Sequence, residues 1–193
     1  ASCLVGSEMC IRDRYYILSE RKQNKKIDKR APVIVGVGDL VDRSKEDGLN
    51  PQELLAKACE YAIQDSGIKE LSNHIDYVGV VRFTVDFLTA TNQSNFQYSN
   101  FPRTLANKLN ISAKNEVYAP MGGNSPQVLL EDALVKISTG ETDCALLSGG
   151  EALQTMIAKL KAGMSLDWLD EPGGSPEMIC LLYTSPSPRD NLP

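Results

Sequence analysis

The stretch Tyr118-Ala-Pro-Met121-Gly122-Gly123-Asn124-Ser125-Pro126, continued by Gln127 to Thr139, Gly140 and Cys144-Ala-Leu-Leu-Ser-Gly149-Gly150-Glu151, decides the fold. A strand-like run ends in a turn of small residues, and Pro126 has the fixed φ that suits the first turn of a helix. Leu129, Leu130, Ala133, Leu134 and Ile137 then recur at helical spacing. Gly140 can take the left-handed conformation that closes a helix. Cys144 to Leu147 is again short and apolar, and a second glycine turn follows it. Strand, turn, helix and strand in that order form the unit of a parallel sheet with a helix on one face. Ser125 stands where a hydroxyl caps the helix by accepting from an amide of its first turn.

Working outward, Val33-Ile-Val-Gly-Val37 is all apolar, rich in β-branched residues and bounded by Pro32 and Gly38. It reads as a central parallel strand buried on both faces. Asn50 can cap the next helix, Pro51 suits its first position, and Glu53 is placed to reach back to the amide of Asn50. Leu54, Leu55, Ala58 and Ala62 form its apolar stripe, and Gly67 supplies the left-handed residue after it. Ile75-Asp-Tyr-Val-Gly-Val-Val81 is the following strand, and Arg103 to Leu109 a short helix. Between them Thr91 to Asn100 is too long and polar for a tight connection, which leaves a solvated loop or an ordered excursion over another surface. Gly36-Val-Gly38 lacks the third glycine and the helix start of a dinucleotide-binding fingerprint.

The quoted stretch resembles the nucleophile region of the thiolases, in which a strand enters a buried turn carrying Cys-x-Ser-Gly, a helix follows, and the next strand ends in Ala-Gly-Gly-x-Glu. Gly123 stands roughly seventeen residues before Gly140, the spacing of that family, and so occupies the position of the attacking cysteine. The likeness extends over roughly residues 31 to 170 and is nearest to an acetyl-CoA acetyltransferase-like branch related to the sterol-carrier thiolases, whose members read Gly-Gly-Asn-Ser-Pro-Gln here. It implies the N-terminal half of a layered α/β fold, a mostly parallel sheet with helices on both faces. Residues 1–30 are expected to be an extension, 31–151 the core, 152–179 the start of a loop domain that is cut short, and 180–193 a tail. The implied activity is Claisen condensation or thiolysis on a coenzyme A thioester. The fragment itself is expected to be inactive, and a silent subunit that binds acyl-coenzyme A or scaffolds a partner is the alternative. The parent is expected to be a homodimer.

In that family the helix N-terminus stabilises a thiolate. Here the amides remain and the sulfur is absent. Ser125 needs a base before it can attack, and Asn124 either donates to an acyl oxygen or tolerates a left-handed turn. Gly122 and Gly123 either make the turn or let backbone and ligand come close. Glu151 matches the family's glutamate approximately, since one residue fewer separates it from the glycines, and is expected to hold neighbouring loops. Trp168 stands in the expected loop domain, where coenzyme A would be gripped, and is either a cofactor contact or packing beside Leu166 and Leu169.

Composition excludes other classes. The 193 residues are 42% hydrophobic and 23% charged with net charge −5, which suits a globular domain and argues against nucleic acid as a partner. No apolar run reaches the roughly 18 residues of a membrane span and none reads as a signal peptide, so a cytoplasmic protein is expected. Ser7 to Arg14 and Cys180 to Asp190 resemble translated sequencing-adapter sequence and are set aside from fold reasoning. Of the five cysteines, Cys3, Cys10 and Cys180 fall in or beside those ends. Cys59 and Cys144 sit in a helix and an apolar strand, where a thiol behaves as a small hydrophobe. With no Cys-x-x-Cys spacing and the one histidine, His74, in a surface turn, no metal site is expected.

Overall fold

The computed structural model describes residues 28–84, 98–168 and 170–179. The chain divides into residues 1–31, of which 28–31 form a turn closed by the Ala31 amide on the Asp28 carbonyl at 3.0 Å, and residues 32–193. The second unit holds α1 (Pro51–Asp65), β1 (Tyr77–Val81), α2 (Phe101–Lys108), β2 (Asn115–Ala119), α3 (Ser125–Thr139), β3 (Ala145–Ser148) and α4 (Leu153–Lys161), with a 3₁₀ turn at Leu71–Asn73. The three strands are all parallel in the order β2-β1-β3. The adapter-like ends and most of Thr91–Asn100 lie outside the described residues.

Side-chain alternation explains the layering, because successive residues of a strand face opposite sides. Val78 and Val80 of β1, Tyr118 of β2 and Leu146 of β3 join the core beneath α1 and α2. Tyr77, Val117 and Ala119 pack with Leu129 and Ala133 of α3 on the other side. Gly79, midway along β1, leaves the hollow into which Leu129 settles, since a β-carbon there would stand 2.8 Å from the Leu129 methyl. The result is a three-layer α/β domain with helices on both faces of a parallel sheet. β1 lies in the middle and carries no charged side chain, as a strand covered on both faces requires.

Local signals place the helix ends. Asn50 accepts from the Glu53 amide at 2.8 Å while the Glu53 carboxylate accepts from the Asn50 amide at 3.3 Å, a complete capping box. Gly67 and Gly140 take φ of 65° and 81° after α1 and α3. At the sheet edge, Glu177 brackets β2: the Tyr118 amide donates to its carbonyl at 2.9 Å and its own amide to the Glu116 carbonyl at 2.7 Å. Its carboxylate also takes Lys136 of α3 at 2.9 Å.

Val33–Val37 is not a strand. It pairs with no strand among the described residues, and Val33 and Ile34 are 75% and 79% exposed. The cause is the glycine pair within and after it: a β-carbon on Gly36 would run into the Ala62 carbonyl and one on Gly38 into that of Ala58. The segment therefore lies backbone against backbone on the Ala58/Ala62 stripe of α1, tied by the Val37 amide to Asp65 Oδ2 at 2.9 Å, and its valines turn outward. Gly36-Val-Gly38 is a close-approach motif.

Candidate functional site

Because the strands are parallel, their carboxyl ends share one edge of the sheet. The connection from β1 to β2 runs through α2 on one face and the return from β2 to β3 through α3 on the other. In open parallel sheets this reversal beside a central strand is where ligands bind, outside the carboxyl ends. At this edge lie Arg82 to Thr84, the turn Met121–Asn124 that opens α3, and Gly149-Gly150-Glu151.

The turn is closed by the Ser125 amide on the Gly122 carbonyl at 3.1 Å, and the first helical bond runs from the Val128 amide to the Asn124 carbonyl at 3.1 Å. Asn124, not Ser125, is the capping position, and its side chain makes no capping bond. Ser125 thus corrects the expected cap: it is one residue too far along, inside the helix, 0% exposed, with its hydroxyl unpartnered. Asn124 has φ −97°, so it is not left-handed. Gly122 and Gly123 are not among the positive-φ residues either. Space bears on Gly122, where a β-carbon would stand 3.1 Å from the Ser125 hydroxyl, whereas one on Gly123 would meet nothing within 4 Å, so neither space nor conformation requires a glycine there.

Groups that would make the turn a nucleophilic centre lie elsewhere. His74 is exposed and follows the 3₁₀ turn that precedes β1, at the opposite edge of the sheet. Cys144 sits just before β3, also at the amino edge, and Cys59 is buried in α1. Burial raises the pKa of both thiols. The Ser148 hydroxyl offsets this in part for Cys59, while Asp76 and Asp143 add to it for Cys144. Among the described residues there is no cluster able to hold a metal ion, and no helix is long and apolar enough to cross a membrane.

Glu151 fastens the edge. Its Oε1 accepts from both the amide and the hydroxyl of Thr84 at 2.7 Å, joining the end of β3 to the end of β1. Trp168 is 4% exposed and packs with Leu166 in the core beneath α1 and α2. The site has neighbours the sequence reading missed. Arg82 places its guanidinium 4.5 Å from the Tyr118 ring centroid. Beneath it Phe83, Tyr98 and Phe101 meet edge to face, with Phe101 4.7 Å from each of the other two. The three-residue spacing of Tyr98 and Phe101 at a helix start was the one available signal. A polar cleft of about 450 Å³ lies apart from the turn, lined by Asn50, Gln52, Thr104, Lys108, Asp167 and Asp170. In it Thr104 and Asp170 satisfy each other at 2.6 Å.

Fold and site together define a parallel α/β domain whose carboxyl edge presents a glycine turn and an uncapped helix. Among solved structures the chain is similar to a monomeric SCP2-thiolase like protein type 1 from Mycobacterium smegmatis, at 30% identity and a TM-score of 0.49 over 64% of this chain and 24% of that one. The chain thus spans about a quarter of that protein's length. No protein-family model and no curated protein matches it.

Proposed function

We propose that this chain is part of a thiolase-like protein that handles coenzyme A thioesters, an acetyl-CoA C-acetyltransferase type by descent. In our reading the carboxyl-edge turn receives the acyl group without bonding to it. The observation that carries the reading is the turn Met121–Ser125 itself: it stands where the resemblance puts the nucleophile, opens α3 at the carboxyl edge, and has a glycine with free space at position 123. Of the two forms the resemblance implies, a condensing enzyme and a catalytically silent acyl-coenzyme A binder, the turn supports the second. A covalent acyl step needs a nucleophile activated by a base. Gly123 has no side chain, Ser125 is buried, and His74 is at the other edge. Homodimer formation and a role in lipid metabolism belong to the same reading, with Leu130 and Val135 of α3 exposed as candidate contact residues.

Incubating the chain with acetyl-coenzyme A and measuring intact mass tests the reading, alongside calorimetric titration. The expected result is saturable binding with no acetyl adduct and no thiolysis. An adduct mapped to Ser125 would restore the condensing form, and the absence of any binding would sink the coenzyme A assignment.

A further inference from the structure

We infer that the polar cleft between α1, α2 and the segment 167–170 binds a small polar α-amino acid as its zwitterion. The inference is independent of the carboxyl-edge turn and of any coenzyme A thioester.

Three stretches of chain far apart in sequence build the cleft: Gln52 in the first turn of α1, Thr104 and Lys108 of α2, and Asp167 and Asp170 beyond α4. Its volume of about 450 Å³ falls in the range of small-molecule sites, roughly 300–1,000 Å³. The third stretch is fixed from two sides. Trp168, between the two aspartates, is buried in the core shared with α1 and α2. Asp170 bridges to Tyr98 along the backbone and accepts the Thr104 hydroxyl on Oδ2 at 2.6 Å. A wall held in this way presents its carboxylates in a set geometry before any ligand arrives.

The charges on the walls select the ligand. Lys108 brings one ammonium, Asp167 and Asp170 two carboxylates, and the lysine pairs with neither of them or with any other described residue. Asp167 has no described partner either, and Asp170 Oδ1 accepts from no described residue. An anion alone would meet two carboxylates and a simple amine would meet the lysine, so each would carry a like-charge penalty. A zwitterion meets its opposite at both poles, its ammonium on the aspartates and its carboxylate on Lys108. Side-chain amides of Gln52 and Asn107 line the cleft beside these charges, and their donors and acceptors suit a polar side chain over an apolar one.

The test is titration of the full 193-residue chain, ¹⁵N-labelled, with L-glutamine, following the side-chain amide signals of Gln52 and Asn107 and the backbone amides of Lys108 and Asp167. Saturable shifts centred on these groups are expected. Two derivatives each keep one charge: N-acetyl-L-glutamine lacks the ammonium and L-glutamine amide lacks the carboxylate. Both should bind at least about tenfold more weakly. Lys108→Gln should weaken L-glutamine by about tenfold and leave L-glutamine amide unweakened, whereas Asp167→Asn should weaken both. Both side chains are exposed and unpaired, so the variants should keep the fold, and their own amide spectra report it. No saturable shift, equal binding of either derivative, or wild-type affinity for L-glutamine in both folded variants would each overturn the proposal.

Discussion

Helices α1 and α3 each run fifteen residues with a proline in the first turn, yet they meet the same unsatisfied amides in opposite ways. α1 closes its own start, with Asn50 and Glu53 exchanging side-chain and backbone bonds across the first turn. α3 leaves its start open, with an asparagine at the capping position that caps nothing and a serine one position later that is buried without a partner. The closed start lies toward the carboxyl edge as well, with Leu55 of its second turn against Gly150 just past β3. The open one follows β2 at the carboxyl edge, where the crossovers reverse. A helix start without a side-chain cap leaves its amides to water or to a ligand.

If α3 is not held by its cap, it is held by its core face, and that is where the largest loss is expected. Leu129 is buried between Gly79 and the strands, and Leu129→Ala should lower unfolding free energy by about 2–5 kcal/mol in a urea titration. A loss below about 1 kcal/mol would mean that α3 is anchored elsewhere and that its open start is less surprising.

The second hold on α3 is electrostatic. Lys136 donates to Glu177 at 2.9 Å and lies 3.5 Å from Asp132, which in turn accepts from the Tyr77 hydroxyl at 2.8 Å. Burial pulls the Lys136 ammonium down, and the Glu177 and Asp132 carboxylates outweigh it, leaving its pKa raised. A raised lysine contributes stability that is fully present below its unfolded value and lost as pH rises through the folded one. The wild-type chain should therefore lose stability above about pH 10.4. Lys136→Met should cost roughly 1–3 kcal/mol at neutral pH and flatten that alkaline limb. An alkaline limb unchanged in the variant would assign it to other groups.

At the closed start, Asn50→Ala should cost about 1 kcal/mol and Asn50→Asp much less, because aspartate restores the acceptor. Equal losses for the two would show that the box seen at Asn50 does not govern α1.

How far each start was readable follows from where its determinants lie. Asn50, Pro51 and Glu53 act on one another within a single turn, and so do Gly67 and Gly140 at the other ends, so those boundaries were readable from local residues. Ser125 was misplaced by one position because the Ser125 amide closes on Gly122, a turn geometry that Asn124 and Ser125 permit equally well on paper. Val33–Val37 failed for a longer-range reason. Its composition is that of a strand, but strandness requires a partner, and Gly36 and Gly38 dock it on α1 instead. The alternation that sorts β1, β2 and β3 into two faces was readable. The meeting of Arg82 with Tyr118, and of Thr84 with Glu151 across 67 positions, was not.

The smallest effects separate the two starts most sharply. Asn124→Ala removes a side chain that caps nothing, so its stability should stay within about 0.5 kcal/mol of wild type, in contrast to Asn50→Ala. Ser125→Ala should move in the opposite direction from a lost cap, raising stability by roughly 0.5–1 kcal/mol. Deleting a buried hydroxyl with no partner removes its desolvation cost and breaks no bond. Thermal and urea unfolding would read both. The sign for Ser125 is the informative part: a loss of about 1 kcal/mol or more would show that the hydroxyl caps α3 after all, so that the two helices begin alike and the open start disappears as a site.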